Sequence, residues 1–464
     1  MEKQQVDKII TGGSIITSNH ENENIESGAI AVQGTDIVAI GTSEEIATGY
    51  DAAETIDATG HVVMPGLIDT HFHTAQQFER NLMAYLNRET NLRDPIWQYA
   101  LIPFEASLSD EDIHLSALLG YANMIKVGTT CFADPGGPRP ENMAPAIEQV
   151  GLRGVLARST LDEIENIPIE MRDTIEGIVD KGESFFKEWN GKADGRVRTW
   201  MGMREIMVCS PEAIKAIKQT ADKLGTGIHI HLAEHASEVD YAIMKSGLRP
   251  AFYLESLGFL ESNVIAAHSA LLSQSELDLY KEYDIAVAHC PAIAFSFCGP
   301  TKVPEMLERD LRIGIGTDGA FSSGGSLDLF RQMAITRYAQ TALFGLPYHE
   351  DLAFIDDRAL LKMATLGGAE ALMWDDEIGS LEVGKKADIL LLSIGELDSL
   401  PFYDPINWAA SVAHGSNVNT VLVNGEIVMR DRKLTRVDEE ELMEKVKERT
   451  PLILNRFLER VDNS

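Results

Sequence analysis

The chain has only four cysteines in 464 residues, and none stand in Cys-x-x-Cys spacing. That excludes a disulfide scaffold or a cysteine-rich zinc cluster. Cys131, Cys209, Cys290 and Cys298 sit in apolar stretches and read as buried free thiols. No apolar run approaches the ~18 residues a membrane-spanning helix needs. The opening Met1-Glu2-Lys3-Gln4-Gln5 runs into a strand pattern without a signal-peptide core, which predicts a cytoplasmic protein. Low-complexity tracts are missing too. Basic residues are scarce, 40 against 72 acidic ones, for a net charge of −32. So acidic a surface repels phosphate backbones and anionic lipid, which argues against nucleic-acid and membrane partners and disfavours polyanionic substrates. Solubility alone accounts for the charge. Finally, no Gly-x-Gly-x-x-Gly joins a strand to a helix, so a dinucleotide-binding doubly wound sheet lacks its fingerprint.

What is present is enough apolar sequence, 44%, for one large domain or two. Residues 6–58 read as short strands punctuated by Gly and Asp, a small antiparallel unit. The texture returns at Ala387–Leu392 and Thr420–Met429. This predicts one composite β-sandwich domain from 1–61 and 376–434. Between them, 62–375 alternates buried strands (129–133, 154–158, 227–231, 264–268, 285–289, 313–318) with helices such as Asp110–Val127 and Pro211–Leu224. About 300 residues of such βα units predict an α/β fold, a (β/α)8 TIM barrel, with a doubly wound sheet as the alternative. Residues 435–464 predict an amphipathic helix, interrupted at Pro451, that packs on the body.

Chemistry concentrates where barrel strands end. Pro65-Gly66-Leu67-Ile68-Asp69-Thr70-His71-Phe72-His73 puts two imidazoles at i and i+2, on one face of an extended chain. Two converging neutral imidazoles begin a metal site. His231, His268 and Asp318 end three further strands, and Glu234 follows His231 by three residues. His61, His114, His229, His289, His349 and His414 are assigned to ordinary structure.

The ordered set 65–73, His-Leu-Ala-Glu (231–234), Ala-Ala-His-Ser (266–269), Gly-Thr-Asp-Gly (316–319) and Ile-Gly-Ser-Leu-Glu-Val-Gly-Lys-Lys-Ala-Asp (378–388) resembles the amidohydrolase superfamily. The likeness is to its branch of S-adenosylhomocysteine-type deaminases and s-triazine hydrolases, and it runs over nearly the whole chain. It implies a barrel with a small β-sandwich from both termini. It also implies one divalent transition metal (zinc, with iron, cobalt or manganese as alternatives) on His71, His73, His231 and Asp318. His268 would hold the reacting water or intermediate, Asp318 would take the water's proton, and Glu234 would protonate a ring nitrogen or leaving group. The two-metal branch bridges its ions with a carboxylated lysine after the fourth strand. Arg198–Glu205 contains no lysine, so the resemblance implies a mononuclear site.

Two departures bear on substrate. Gly202-Met203-Arg204-Glu205 replaces a Gly-Pro-His-Ser-like turn, and His289-Cys290-Pro291-Ala292-Ile293-Ala294-Phe295-Ser296-Phe297 replaces His-Asn-Pro-x-Ser-Asn. Both predict a neutral, partly hydrophobic small-molecule substrate rather than a polar nucleoside. Glu79, Trp97, Phe104, Arg204, Phe295 and Phe297 are the candidate lining residues, with core packing the competing reading for each aromatic. The expectation is hydrolytic deamination of an amino-substituted heterocycle. Alternatives are hydrolysis of a urea, carbamate or thiocarbamate, triazine dechlorination at the same site, or a non-catalytic scaffold. By family analogy the protein is expected to form a homo-oligomer.

Overall fold

Along most barrel strands the side chains alternate between two apolar clusters, and this alternation builds the architecture. A computed structural model of the chain describes residues 3–21, 23–82, 86, 95–163, 167–321, 325–345 and 355–462; His349 lies outside them. Eight parallel strands close a barrel: β6 (Leu67–Asp69), β7 (Thr129–Gly137), β8 (Arg153–Arg158), β9 (Val197–Met203), β10 (Ile228–Leu232), β11 (Val264–His268), β12 (Ala286–His289) and β13 (Ile313–Ile315). Chain order is order around the barrel, and β13 returns to β6.

On β11, Val264 and Ala266 face the helices, while Ile265 and Ala267 join the inner cluster with Ala133, Val155, Ala157, Ala286 and Ala288. Small residues fill the narrow interior. Trp374, Leu372 and Ile378 plug its lower end, with Arg198 stacked 4.0 Å from the Trp374 ring. Because the period is two, Ile228, Ile230 and Leu232 of β10 point outward. His229 and His231, between them, therefore face inward. The helix Pro211–Leu224, bounded as the sequence predicts, is capped by the Ser210 side chain on Ala213 N–H.

The termini build the second sheet. Its strands are β1 (Gln4–Ile16), β2 (Asn24–Gln33), β3 (Asp36–Thr42), β4 (Tyr50–Asp57), β5 (His61–Pro65), β14 (Ile389–Ser393), β15 (Val418–Val423), β16 (Glu426–Arg430) and β17 (Lys433–Leu434). They form one nine-stranded mixed sheet, because β4 and β5 run parallel to β1. A wholly antiparallel unit, as the turn signals suggest, does not form. Gly12-Gly13, one of the glycine breaks between short strands in the sequence, is a bulge inside β1. The sheet curls until Gly34, in the β2–β3 turn, meets Gly425: a Cβ there would lie 2.2 Å from the Gly34 carbonyl. Ile10, Ile30, Val63, Leu391 and Leu422 thus share one core.

In hydrogen bonding the barrel starts at Leu67 rather than at residue 62, since β5 pairs with β1 and β14. The crossover at Gly66 admits no side chain, as a Cβ would stand 1.9 Å from Thr130 Oγ1. A buried ion pair ties the two bodies together. Arg153, at the start of β8, meets Asp388 at 2.6 Å and Asn424 at 2.7 Å. The C-terminal helix is continuous over Glu439–Asp462, with Pro451 inside it, where the sequence predicted a break. Tertiary anchors hold it on the body: Phe457 packs on Phe104 at 5.4 Å, and Arg449 and Arg456 both reach buried Asp112.

Candidate active site

The upper ends of β6, β10, β11 and β13 converge on one nest. His71 and His73 follow β6, and each Nε2 lies 3.3 Å from Asp318 Oδ1. His231 Nε2 is 3.3 Å from His73 Nε2. The His231 Nδ1–H donates to the Arg204 carbonyl at 2.6 Å, which leaves Nε2 as the lone-pair nitrogen facing the others. Zinc bonds of ~2.0–2.1 Å at tetrahedral angles set neighbouring donors ~3.3–3.4 Å apart, the spacing of these three pairs.

Charge supports the same reading. Burial pushes His71 down to about 4 and His231 well below the ordinary imidazole value, so both rings are neutral, the form that can ligate a cation. Burial also opposes the Asp318 charge, but His71, His73 and His268 outweigh it and hold the carboxyl well below its usual range. Asp318 in turn raises His73 against its burial.

The local backbone is shaped for this convergence. His268 (φ 66°), Asp318 (φ 65°) and Ala233 (φ 52°) are left-handed non-glycine residues at strand ends. Each such conformation costs ~1–3 kcal/mol and clusters at functional sites. Gly316 lets β13 close on β6, since a Cβ there would lie 2.8 Å from the His71 Cβ. Beneath, His229 Nε2 is 2.9 Å from His71 Nδ1, and Asp69 accepts from the Thr317 and His71 backbone N–H groups and from Thr317 Oγ1. His229, assigned to structure from the sequence, is thus the partner that orients His71.

Above the nest opens a cavity. Its lining mixes apolar side chains (Ile96, Trp97, Leu101, Ile293, Phe297 and Phe321) with polar ones (Gln76, Arg204, Glu205, Glu234, His235 and His268), and His73, His231 and Asp318 of the nest also face it. His268 is buried, and among the described residues neither ring nitrogen has a hydrogen-bond partner; its Nε2 is 3.6 Å from Glu234 Oε2. Glu234 Oε1 is 3.2 Å from His235 Nε2. Burial opposes the Glu234 charge, yet His268 and His235 hold its carboxyl down to about 2. Burial and Glu234 push neighbouring Glu205 up to about 7.

Of the lining candidates, Trp97, Arg204 and Phe297 reach the cavity. Arg204 is buried and already paired, its Nη1 donating to Glu105 Oε2 at 2.7 Å, while Gln76 donates to the other oxygen of Glu105. Glu79 is fully buried behind the wall, where burial and Glu105 raise it well above the usual carboxyl value. Phe104 is in the core against Phe457, and Phe295 lies off the lining. Sequence reasoning missed Gln76, Glu205, His235, Ile293 and Phe321. His235 and Glu205 directly follow singled-out residues, and that adjacency was the available signal.

Comparison with known proteins agrees with this geometry. The sequence profile of the Amidohydrolase family matches residues 62–428. The chain is 33% identical over 451 residues to a 5-methylthioadenosine/S-adenosylhomocysteine deaminase of Thermoanaerobacter pseudethanolicus, covering 97% of this chain and 99% of that one. It is 33% identical over 426 residues to a 5'-deoxyadenosine deaminase of Methanobrevibacter smithii, covering 90% and 92%. An adenosine deaminase structure from Xanthomonas campestris with bound zinc superposes over 100% of both chains, with TM-score 0.87 at 24% identity. A mutant atrazine chlorohydrolase from Arthrobacter aurescens, complexed with zinc and atraton, gives TM-score 0.84 at 22% identity over 96% of this chain and 100% of that one. At those identities the structural likeness establishes the fold.

Proposed function

The chain belongs to the amidohydrolase family, and from that premise we propose a hydrolytic deaminase of an adenine-type nucleoside carrying an apolar, uncharged 5' substituent. The observation that carries the reading is one cavity lined both by proton-handling groups beside the His71–Asp318 nest and by six apolar side chains. The relatives' substrates favour the nucleoside over a urea, carbamate or chlorotriazine. The apolar lining fits the hydrophobic area suggested by the departure at 289–297, while the expectation against a nucleoside gives way to the relatives' substrates.

His71, His73, His231 and Asp318 would hold one divalent transition metal, zinc by analogy with the family's solved structures. Such a cation supplies a water acidic enough to be a nucleophile at neutral pH. Asp318, ionised at the nest, accepts one proton of the attacking water. Glu234 is also ionised before substrate arrives, so it cannot begin as an acid. It takes up the other proton and passes it to the ring nitrogen. Asp318 returns its proton to the departing amine, so the water's two hydrogens end on the ring nitrogen and on ammonia. His268, unpartnered and facing the cavity, donates to the oxygen that forms on the carbon. Arg204, fixed by Glu105, sets the far polar edge of the substrate.

Ammonia release against adenosine, 5'-methylthioadenosine, 5'-deoxyadenosine, S-adenosylhomocysteine, a chlorotriazine and a phenylurea tests the proposal. Ammonia from at least one adenine nucleoside, with the thioether or deoxy forms preferred, is expected. Chloride release, or urea hydrolysis without adenine deamination, would refute it.

A further inference from the structure

A second group of metal-type ligand atoms stands on the cavity wall. Glu234 Oε1 lies 3.2 Å from His235 Nε2 and 3.5 Å from Cys298 Sγ, and all three atoms fall within 4.8 Å of one another. They come from separate parts of the fold. Glu234 and His235 occupy the turn between β10 and the helix Ala236–Ser246, and Cys298 ends the helical turn Ala294–Cys298 after β12. Zinc–sulfur bonds of ~2.3 Å beside ~2.0–2.1 Å bonds to nitrogen and oxygen place tetrahedral neighbours ~3.3–3.6 Å apart. The 3.5 Å sulfur–oxygen separation falls in that range and the 3.2 Å nitrogen–oxygen separation lies just below it.

Donor chemistry selects the ion. A carboxylate, an imidazole and a thiolate favour zinc or cobalt over magnesium or calcium. The His71–Asp318 nest contains no sulfur, so the two positions differ in kind. Glu234 and His235 line the cavity, which gives a cation its entry path.

We propose that Glu234, His235 and Cys298 form a second, weaker site for a thiophilic divalent cation, whose filling arrests the enzyme by capturing Glu234. The inhibitory part rests on the proton-transfer role given to Glu234 above; the binding part does not. Affinity is limited because both neighbours must shed a proton as the ion arrives. Burial and Glu234 raise the Cys298 thiol, and Glu234 outweighs burial in raising His235. The Glu234 carboxylate is already ionised.

Cobalt(II) separates the two sites by spectrum. Protein holding one cobalt per chain is titrated with further cobalt(II). Thiolate-to-cobalt charge-transfer absorption in the near ultraviolet should appear only beyond the first equivalent, with turnover falling in step. Cys298→Ser and Cys298→Ala should lose the band, keep basal turnover, and need roughly tenfold or more additional metal for half-inhibition, as expected on losing one of three ligands. Absence of the band in the parent protein, or its persistence in both variants, overturns the site. A Cys298-dependent band without inhibition upholds the cation site and counts against the role of Glu234.

Discussion

Replacing His229 by leucine tests how the nest is organised, because His229 touches no solvent and contacts His71 from below. The substitution fills similar space but removes the nitrogen that His71 Nδ1 meets at 2.9 Å. His71 is fully buried, so its Nδ1–H would be left unpaired in the barrel interior. An orphaned buried donor costs ~1–3 kcal/mol. The loss is felt where His71 acts, since its other nitrogen faces Asp318. Losing the outer partner of a metal-ligating histidine typically weakens metal binding ~10–100-fold, or ~1.4–2.7 kcal/mol at ~1.4 kcal/mol per tenfold. The two estimates overlap, so zinc affinity should drop within that window. Turnover at saturating metal should change far less. Competition with a chromophoric chelator measures the affinity, and melting with and without zinc checks the fold. His229→Gln, whose amide oxygen still accepts, should recover part of the loss. Unchanged zinc affinity in a folded His229→Leu protein would refute the dependence of His71 on His229.

Glu234→Gln keeps the shape of the side chain and removes its basicity, so metal content should hold while turnover falls by ~10²–10⁴; equal loss of metal would make Glu234 a ligand. Asp318→Asn should keep metal at reduced affinity, lower turnover further than Glu234→Gln, and move the acidic limb of the pH–rate profile, which reports the coupled unit of water and Asp318. Near-normal turnover with an unmoved limb would transfer the base role to His268. Arg153→Met strands the buried Asp388 carboxylate between the barrel and the composite sheet. Urea unfolding should show a loss of ~3–5 kcal/mol, with the metal site unaffected at low denaturant; a loss much below that would mean Asn424 alone satisfies Asp388.

Much of this protein is local and therefore written in the chain. A strand's period of two puts His71 and His73 on one face, and Asp318 ends a glycine-punctuated strand whose position next to β6 follows from closing eight βα units. The composite sheet was legible because apolar alternation reappears at both ends of the chain. What the sequence could not decide were contacts between residues far apart. His229-x-His231 has the same spacing as His71-x-His73, yet only the depth of each ring in the barrel separates the orienting partner from the ligand. Phe104 and Trp97 are both aromatics after the first strand; Phe104 is claimed by Phe457, more than 350 residues later, and Trp97 by the cavity. Pro451 reads as a helix break, and packing on Phe104 with ion pairs to Asp112 overrides it. Spacing along a strand fixes direction, so the convergence of His71, His73, His231 and Asp318 was readable from sequence. Which loop side chain reaches a cavity depends on where other segments already fill the space, and only the folded chain decides that.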